Sequence, residues 1–248
     1  MSPVSWEDLA GQTQAAVPFL IQPYIPEGGI ILLYGKTRVG KSPVSWEMAR
    51  CVGAGVPFFG RPVRQGTVLI LEFDTPQRLV QPRIEPLEAP PNVWFEFLNP
   101  CHLPADGAVQ RLLRGLEASL HPDLVIVNTL RKVHQGDEKD GALPSRLYGL
   151  FRALFPTASV LFVHHDKKTH AAPDSQADPD EAFSGHLAWL NDCQVGLHLM
   201  RAGGRDTGLL KLVHTKYQVS AEEQTLRLQL DQGGSVLIEY VSEQARRV

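Results

Sequence analysis

Five runs of consecutive apolar residues are spread along the chain: 29–34 (GIILLY), 67–73 (TVLILEF), 92–98 (NVWFEFL), 123–130 (DLVIVNTL) and 159–164 (SVLFVH). Short, unalternated, β-branched runs of this kind read as strands buried on both faces. Between them the apolar period becomes helical. Val44, Met48 and Val52 recur every four residues in 43–54, and Val109, Leu112, Leu113, Leu116 and Leu120 share one face of 106–120. Residues 143–154 read as another helix, and 77–87 as one broken by Pro82 and Pro86. Strands alternating with helices predict an α/β fold with a mostly parallel central sheet flanked by helices. After 183–191, a short helix, the pattern changes. Segments 192–200, 207–215, 224–230 and 235–240 read as strands, with turn residues at 206–208 and 231–234. They extend the sheet as C-terminal antiparallel hairpins. Residues 1–28 form a lead-in, and 29–248 a single domain.

The first run leads into Gly35-Lys36-Thr37-Arg38-Val39-Gly40-Lys41-Ser42, which matches the G-x-x-x-x-G-K-[ST] phosphate-binding loop. Strand, glycine loop and helix follow in the order the motif needs. The glycines let successive N–H groups converge on an anion at a helix N-terminus. Lys41 would reach the β- and γ-phosphates of ATP, and the Ser42 hydroxyl would hold Mg²⁺. Pro43 follows directly and has no N–H, so one amide near the α-phosphate is lost.

Composition narrows the alternatives. Of 248 residues, 43% are hydrophobic, enough for a proper core. The net charge is −3, so any nucleic-acid binding must rest on local patches. Cys51, Cys101 and Cys193 lie far apart, with no metal or redox spacing, and point to a reducing cytoplasmic setting. Neither a signal peptide nor a run long enough to span a bilayer is read. The hexapeptide SPVSWE at 2–7 recurs at 42–47, and nothing in the sequence explains it.

Other candidates lie where the runs end. Residues 67–73 end among Glu72 and Asp74, either of which would orient an attacking water; Asp74-Thr75-Pro76 is equally a helix start. Residues 123–130 are the strand on which phosphate-loop NTPases carry a metal-shell Asp, and there this chain has Asn128. An amide accepts a hydrogen bond there but brings no charge. Asp123 sits at the strand's opposite end and cannot substitute. The last run ends in His164-His165-Asp166. Adjacent strand residues point apart, so a γ-phosphate sensor, His164, fits better than a metal pair. Residues 167–181 read either as a loop that grips DNA or as a solvated lid.

These segments resemble the RecA-type ATPases of the hexameric helicase group, and among them the RepA helicase family of broad-host-range plasmids. Residues 128–135 (NTLRKVHQ) are similar to that family's D-T-L-R-R-F-H, 160–168 (VLFVHHDKK) to its V-F-L-H-H-x-x-K, and 72–84 to its E-D-P-P-x-x-x-x-x-R-L. Alignment on Pro76 and Arg83 puts Asp74 at the family's catalytic Glu, the preferred choice; alignment on Leu71-Glu72 picks Glu72. Residues 209–216 (LLKLVHTK) resemble the strand of the arginine finger, with Lys211 at the finger position and Lys216 at a neighbouring lysine. The resemblance implies a homo-oligomeric ring, usually of six subunits, with ATP at each interface and movement along single-stranded DNA. Arg131, Lys132, Lys167 and Lys168 would then touch DNA phosphates. No N-terminal domain like that of the DnaB-like relatives is read, so loading is expected to use another protein or the bare ring. Asn128, the shortened or shifted acid, Lys211 in place of Arg and Pro43 all point either to slow hydrolysis or to a nucleotide-gated assembly or adaptor protein that binds ATP, scarcely turns it over and recruits a partner to DNA. Removing an arginine finger alone costs on the order of a thousandfold or more.

Overall fold

The computed structural model describes residues 5–11, 17–85, 87–138, 140–165, 187–201, 209–217 and 226–229. In chain order the elements are α1 (Trp6–Gly11), β1 (Phe19–Ile21), β2 (Ile25–Pro26), β3 (Ile30–Gly35), α2 (Lys41–Ala54), β4 (Val68–Glu72), α3 (Gln77–Ile84), β5 (Val93–Phe97) and α4 (Gly107–Leu120). They continue with β6 (Leu124–Asn128), a 3₁₀ turn (Leu130–Lys132), α5 (Ala142–Leu154), β7 (Ser159–His165), α6 (Ala188–Asn191), β8 (Val195–Arg201), β9 (Leu209–Tyr217) and β10 (Leu226–Gln229).

β3 to β10 form one eight-stranded sheet in the order β10-β9-β8-β3-β7-β6-β4-β5. The strands from β8 across to β5 pair in parallel. β9 and β10 then add in antiparallel fashion. The fold is therefore α/β, with a mostly parallel sheet and an antiparallel C-terminal extension. The expected strand at 235–240 and the loop at 167–181 lie outside the described residues.

Strand alternation builds one core on each face of the sheet. Ile31, Leu33, Leu161, Val163, Ile126 and Ile70 face α2 and meet Val44, Met48 and Val52. Ile30, Leu32, Val160, Phe162, Val125 and Val127 face the other way, onto Leu113 of α4 and Leu147 and Phe151 of α5. Both faces are covered, which is why the strands read as continuous apolar runs. Leu20, Ile21, Tyr24 and Ile25, from the lead-in, are fully buried in the first core.

Local chemistry sets the helix ends. The Asp106 carboxylate accepts from the Ala108 and Val109 amides, both at 3.1 Å, and so starts α4. Leu112, expected on the buried face of that helix, is instead 41% exposed. Pro82 does not break α3, which runs on to Ile84. Its missing N–H deprives only the carbonyl four residues back, on the solvent-exposed Arg78. The Arg83 guanidinium lies 5.4 Å over the Trp46 ring and ties α3 to α2. Among the described residues, no helix is long and apolar enough to cross a membrane.

Candidate nucleotide site

β3 stops at Gly35 and α2 starts at Lys41, so the glycine motif forms the loop between them. Both glycines are needed. A Cβ on Gly35 would stand 2.2 Å from the Leu199 carbonyl oxygen on β8. Gly40, which precedes α2, has φ 113°, a conformation that side chains disfavour. Lys36, Thr37 and Arg38 are exposed, while Val39 is buried and pins the loop. Pro43 sits in the first helical turn, where an N–H has no helical acceptor, so α2 tolerates it. Lys41 Nζ donates to the carbonyls of Gly35 at 2.8 Å and Lys36 at 2.9 Å, and lies 3.2 Å from His165 Nδ1.

A row of polar side chains continues from the loop along the C-terminal edge of the sheet, on the α2 face. Gly35 is level with His165 of β7, and Asn128 with Glu72 of β4. Two strands, β7 and β6, separate β4 from β3, so the acid does not adjoin the loop strand. Asn128 bridges the gap. Its Nδ2 donates to Glu72 Oε2 at 2.6 Å and to Ser42 Oγ at 3.1 Å, and its Oδ1 is 3.3 Å from the same hydroxyl. Glu72 Oε1 accepts from the amides of Thr75 at 2.9 Å and Asp74 at 3.2 Å. Asn128 and Glu72 are both buried. Burial pushes the Glu72 carboxyl above the usual carboxylate range, against the pull of its three N–H donors.

Several expected residues are not brought to this row. Asp74 lies past the strand end, exposed, with Lys132 Nζ 3.7 Å from its Oδ1. His164 turns to the opposite face, its ring 6.0 Å from that of Trp189 on α6; the histidine at the loop is His165. The reason is strand parity, which sends neighbours to opposite faces. Lys211 pairs with Met200 on β8 at the same edge, two strands from β3. Leu210 and Leu212 flank it and enter the α2-side core, so Lys211 is on the other face. Lys216 Nζ donates to the carbonyls of Leu190, at 2.9 Å, and Asn191, closing the end of α6. Arg131 Nη1 is 3.3 Å from Glu138 Oε1. Lys167 and Lys168 lie outside the described residues.

One residue at the loop escaped the sequence reading. Arg201 ends β8 and its Nη2 donates to the Arg38 carbonyl at 3.3 Å. The strand was expected to stop at residue 200, one short of the cation that reaches the loop.

The loop fits a triphosphate: Lys41 stands at the N-terminus of α2, and Gly35 leaves no room for a side chain. A divalent cation is served less well. Ser42 offers a hydroxyl, but Asn128 brings no charge and aims an N–H at that same oxygen. These residues do not form a charged cation shell.

Strand order, loop and polar row together define a RecA-like phosphate-loop ATPase fold. The chain belongs to the AAA domain family, which it matches over residues 1–171. Among solved structures it is similar to one described as the ATPase domain of G40P, with a TM-score of 0.62, 10% identity, and 87% of this chain and 84% of that one covered. It is also similar to the RadB recombinase, with a TM-score of 0.56, 17% identity, and coverage of 87% and 92%. Comparison with curated protein sequences gave no match.

Proposed function

We propose that this chain is an ATP-dependent, ring-forming translocase or helicase-like ATPase that acts on single-stranded DNA in replication or repair, with slow hydrolysis. The observation that carries this reading is the continuous hydrogen-bonded row from Ser42 through Asn128 to Glu72, beside a lysine-bearing phosphate loop. The amides of residues 35–42 and Lys41 hold the triphosphate of ATP. Magnesium that arrives with the nucleotide would be held by the phosphate oxygens, since the Ser42 hydroxyl is engaged by Asn128. Glu72 orients the attacking water, because it is the acid joined to the loop, whereas Asp74 is outside the row. His165, against Lys41, takes the γ-phosphate contact expected of His164. Lys211, at the same edge and off the α2 face, acts on the site of a neighbouring subunit.

Arg131 and Lys132 carry the DNA contacts, with Lys167 and Lys168 by resemblance. Both described cations are held in ion pairs, with Glu138 and Asp74. The exposed Lys132–Asp74 pair is worth only about 0–1 kcal/mol, so a phosphate displaces that carboxylate readily. The Lys132–Asp74 pair also joins the DNA-binding loop to the strand end that bears Glu72.

The test is steady-state ATP hydrolysis with and without single-stranded DNA, with Lys41→Ala as control and mass determination of the assembly with and without ATP. DNA-stimulated turnover that Lys41→Ala abolishes, in a ring, supports the proposal. A second reading, a nucleotide-gated assembly or adaptor protein, is favoured by the uncharged Asn128. ATP-dependent assembly without turnover would select it.

A further inference from the structure

We infer that the Asn128 amide replaces the cation-mediated link between phosphate loop and acid, so that this chain binds a nucleoside triphosphate with little dependence on a divalent cation. The inference rests on the nucleotide-binding reading above.

The geometry supports it in three ways. First, both oxygens of Glu72 are already met by protein N–H groups: Asn128 Nδ2 at 2.6 Å on one, the Thr75 and Asp74 amides on the other. The carboxylate is oriented without a metal-bound water. Second, a carboxylate in place of the Asn128 amide would bring two acids to hydrogen-bond distance in a buried site. Such a pair requires a proton or a cation between its members. The amide removes that requirement. Third, Asn128 Nδ2–H is directed at Ser42 Oγ, the oxygen a cation would need. The charge of the triphosphate then falls to Lys41 and to the amides at the N-terminus of α2, which need no metal to act.

The amide orientation follows from the same contacts. An oxygen 2.6 Å from a carboxylate oxygen would set lone pair against lone pair, so a charged Glu72 selects the N–H.

The experiment is anisotropy titration of the full chain with a fluorescent N-methylanthraniloyl ATP, in millimolar magnesium and again with excess EDTA. The expected dissociation constants differ by less than about fivefold, under 1 kcal/mol. In Asn128→Asp, whose fold is checked by circular dichroism, chelation should weaken binding by more than about tenfold, because two acids then face the triphosphate. Asn128→Asp combined with Glu72→Gln should restore the indifference. A loss of more than about fivefold on chelation in the unaltered chain, with normal binding in magnesium, overturns the inference and leaves the nucleotide reading intact. A folded Asn128→Asp variant as indifferent as the parent also overturns it. No binding in either condition overturns both. The first comparison uses no variant, so it decides even if the substitutions disturb folding.

Discussion

His164 and His165 are neighbours on β7, yet one lies against Trp189 beneath the sheet and the other against Lys41 above it. Their substitutions should therefore separate. His165→Ala is expected to lower ATP turnover roughly ten- to hundredfold, the worth of a hydrogen bond to a charged group, with little change in urea midpoint. His164→Ala should cost about 1–3 kcal/mol of stability, as buried truncations do. Equal losses of turnover from both would remove the assignment of His165.

Gly35 has no room for a side chain. Gly35→Ala would push a methyl group to 2.2 Å from the Leu199 carbonyl, a backbone atom that cannot rotate away. Prying β3 from β8 at that point should destabilise the chain by about 1–3 kcal/mol, read by urea denaturation, and distort the loop. Unchanged stability together with normal nucleotide binding would contradict this packing.

Lys211 and Lys216 share β9 but have different surroundings. Lys216→Met leaves two carbonyls at the end of α6 without their donor, so a loss of about 1–3 kcal/mol in stability is expected. Lys211→Ala should leave stability unchanged and reduce turnover only in the assembled state. Mixing inactive Lys41→Ala chains with Lys211→Ala chains should restore some hydrolysis at mixed interfaces. No rescue would argue against action across an interface.

Acid should loosen the loop that carries Arg131 and Lys132. His134 is buried 5.9 Å from the Trp189 ring and 3.9 Å from Glu138. Burial, and next the Arg131 charge, hold its imidazole below the ordinary value of 6.5; His102 adds to this, and the Gly136 backbone opposes it. The unfolded chain therefore takes up this proton first as pH falls. The stability contributed by neutral His134 is present above 6.5 and is lost as pH drops from 6.5 through the folded value. His134→Gln should flatten the fall in urea stability between pH 7 and pH 5 by up to about 1.4 kcal/mol per pH unit. An unchanged slope would place the acid sensitivity elsewhere.

The sequence made the strands, the glycine loop and its helix legible because their determinants are local: apolar runs, turn residues and one motif. Facing was harder to read. Whether His164 or His165 shares a side with Asn128 depends on how β7 registers against β6, and pairing between distant segments sets that. Glu72 and Asp74 separate for a similar reason. The strand's last residue is aimed and buried by its neighbours, while the residue two further on has left the sheet. The target of Lys216 is a pair of carbonyls more than twenty residues upstream, which no local pattern announces. Leu112 shows the limit from the other side: it fits the helical period of α4, but the covered stripe is too narrow to include it.

The polar row draws on several strands, each contributing the side chain at its C-terminal end. It therefore depends on counting as much as on chemistry. Loss of a single residue within β6 would carry Thr129 into the place of Asn128 and turn the amide down into the apolar layer on the other face. Point substitutions along β6 leave that alignment in place. Insertions and deletions of one residue do not, so for this site the conserved quantity should be the length of each strand up to its last residue.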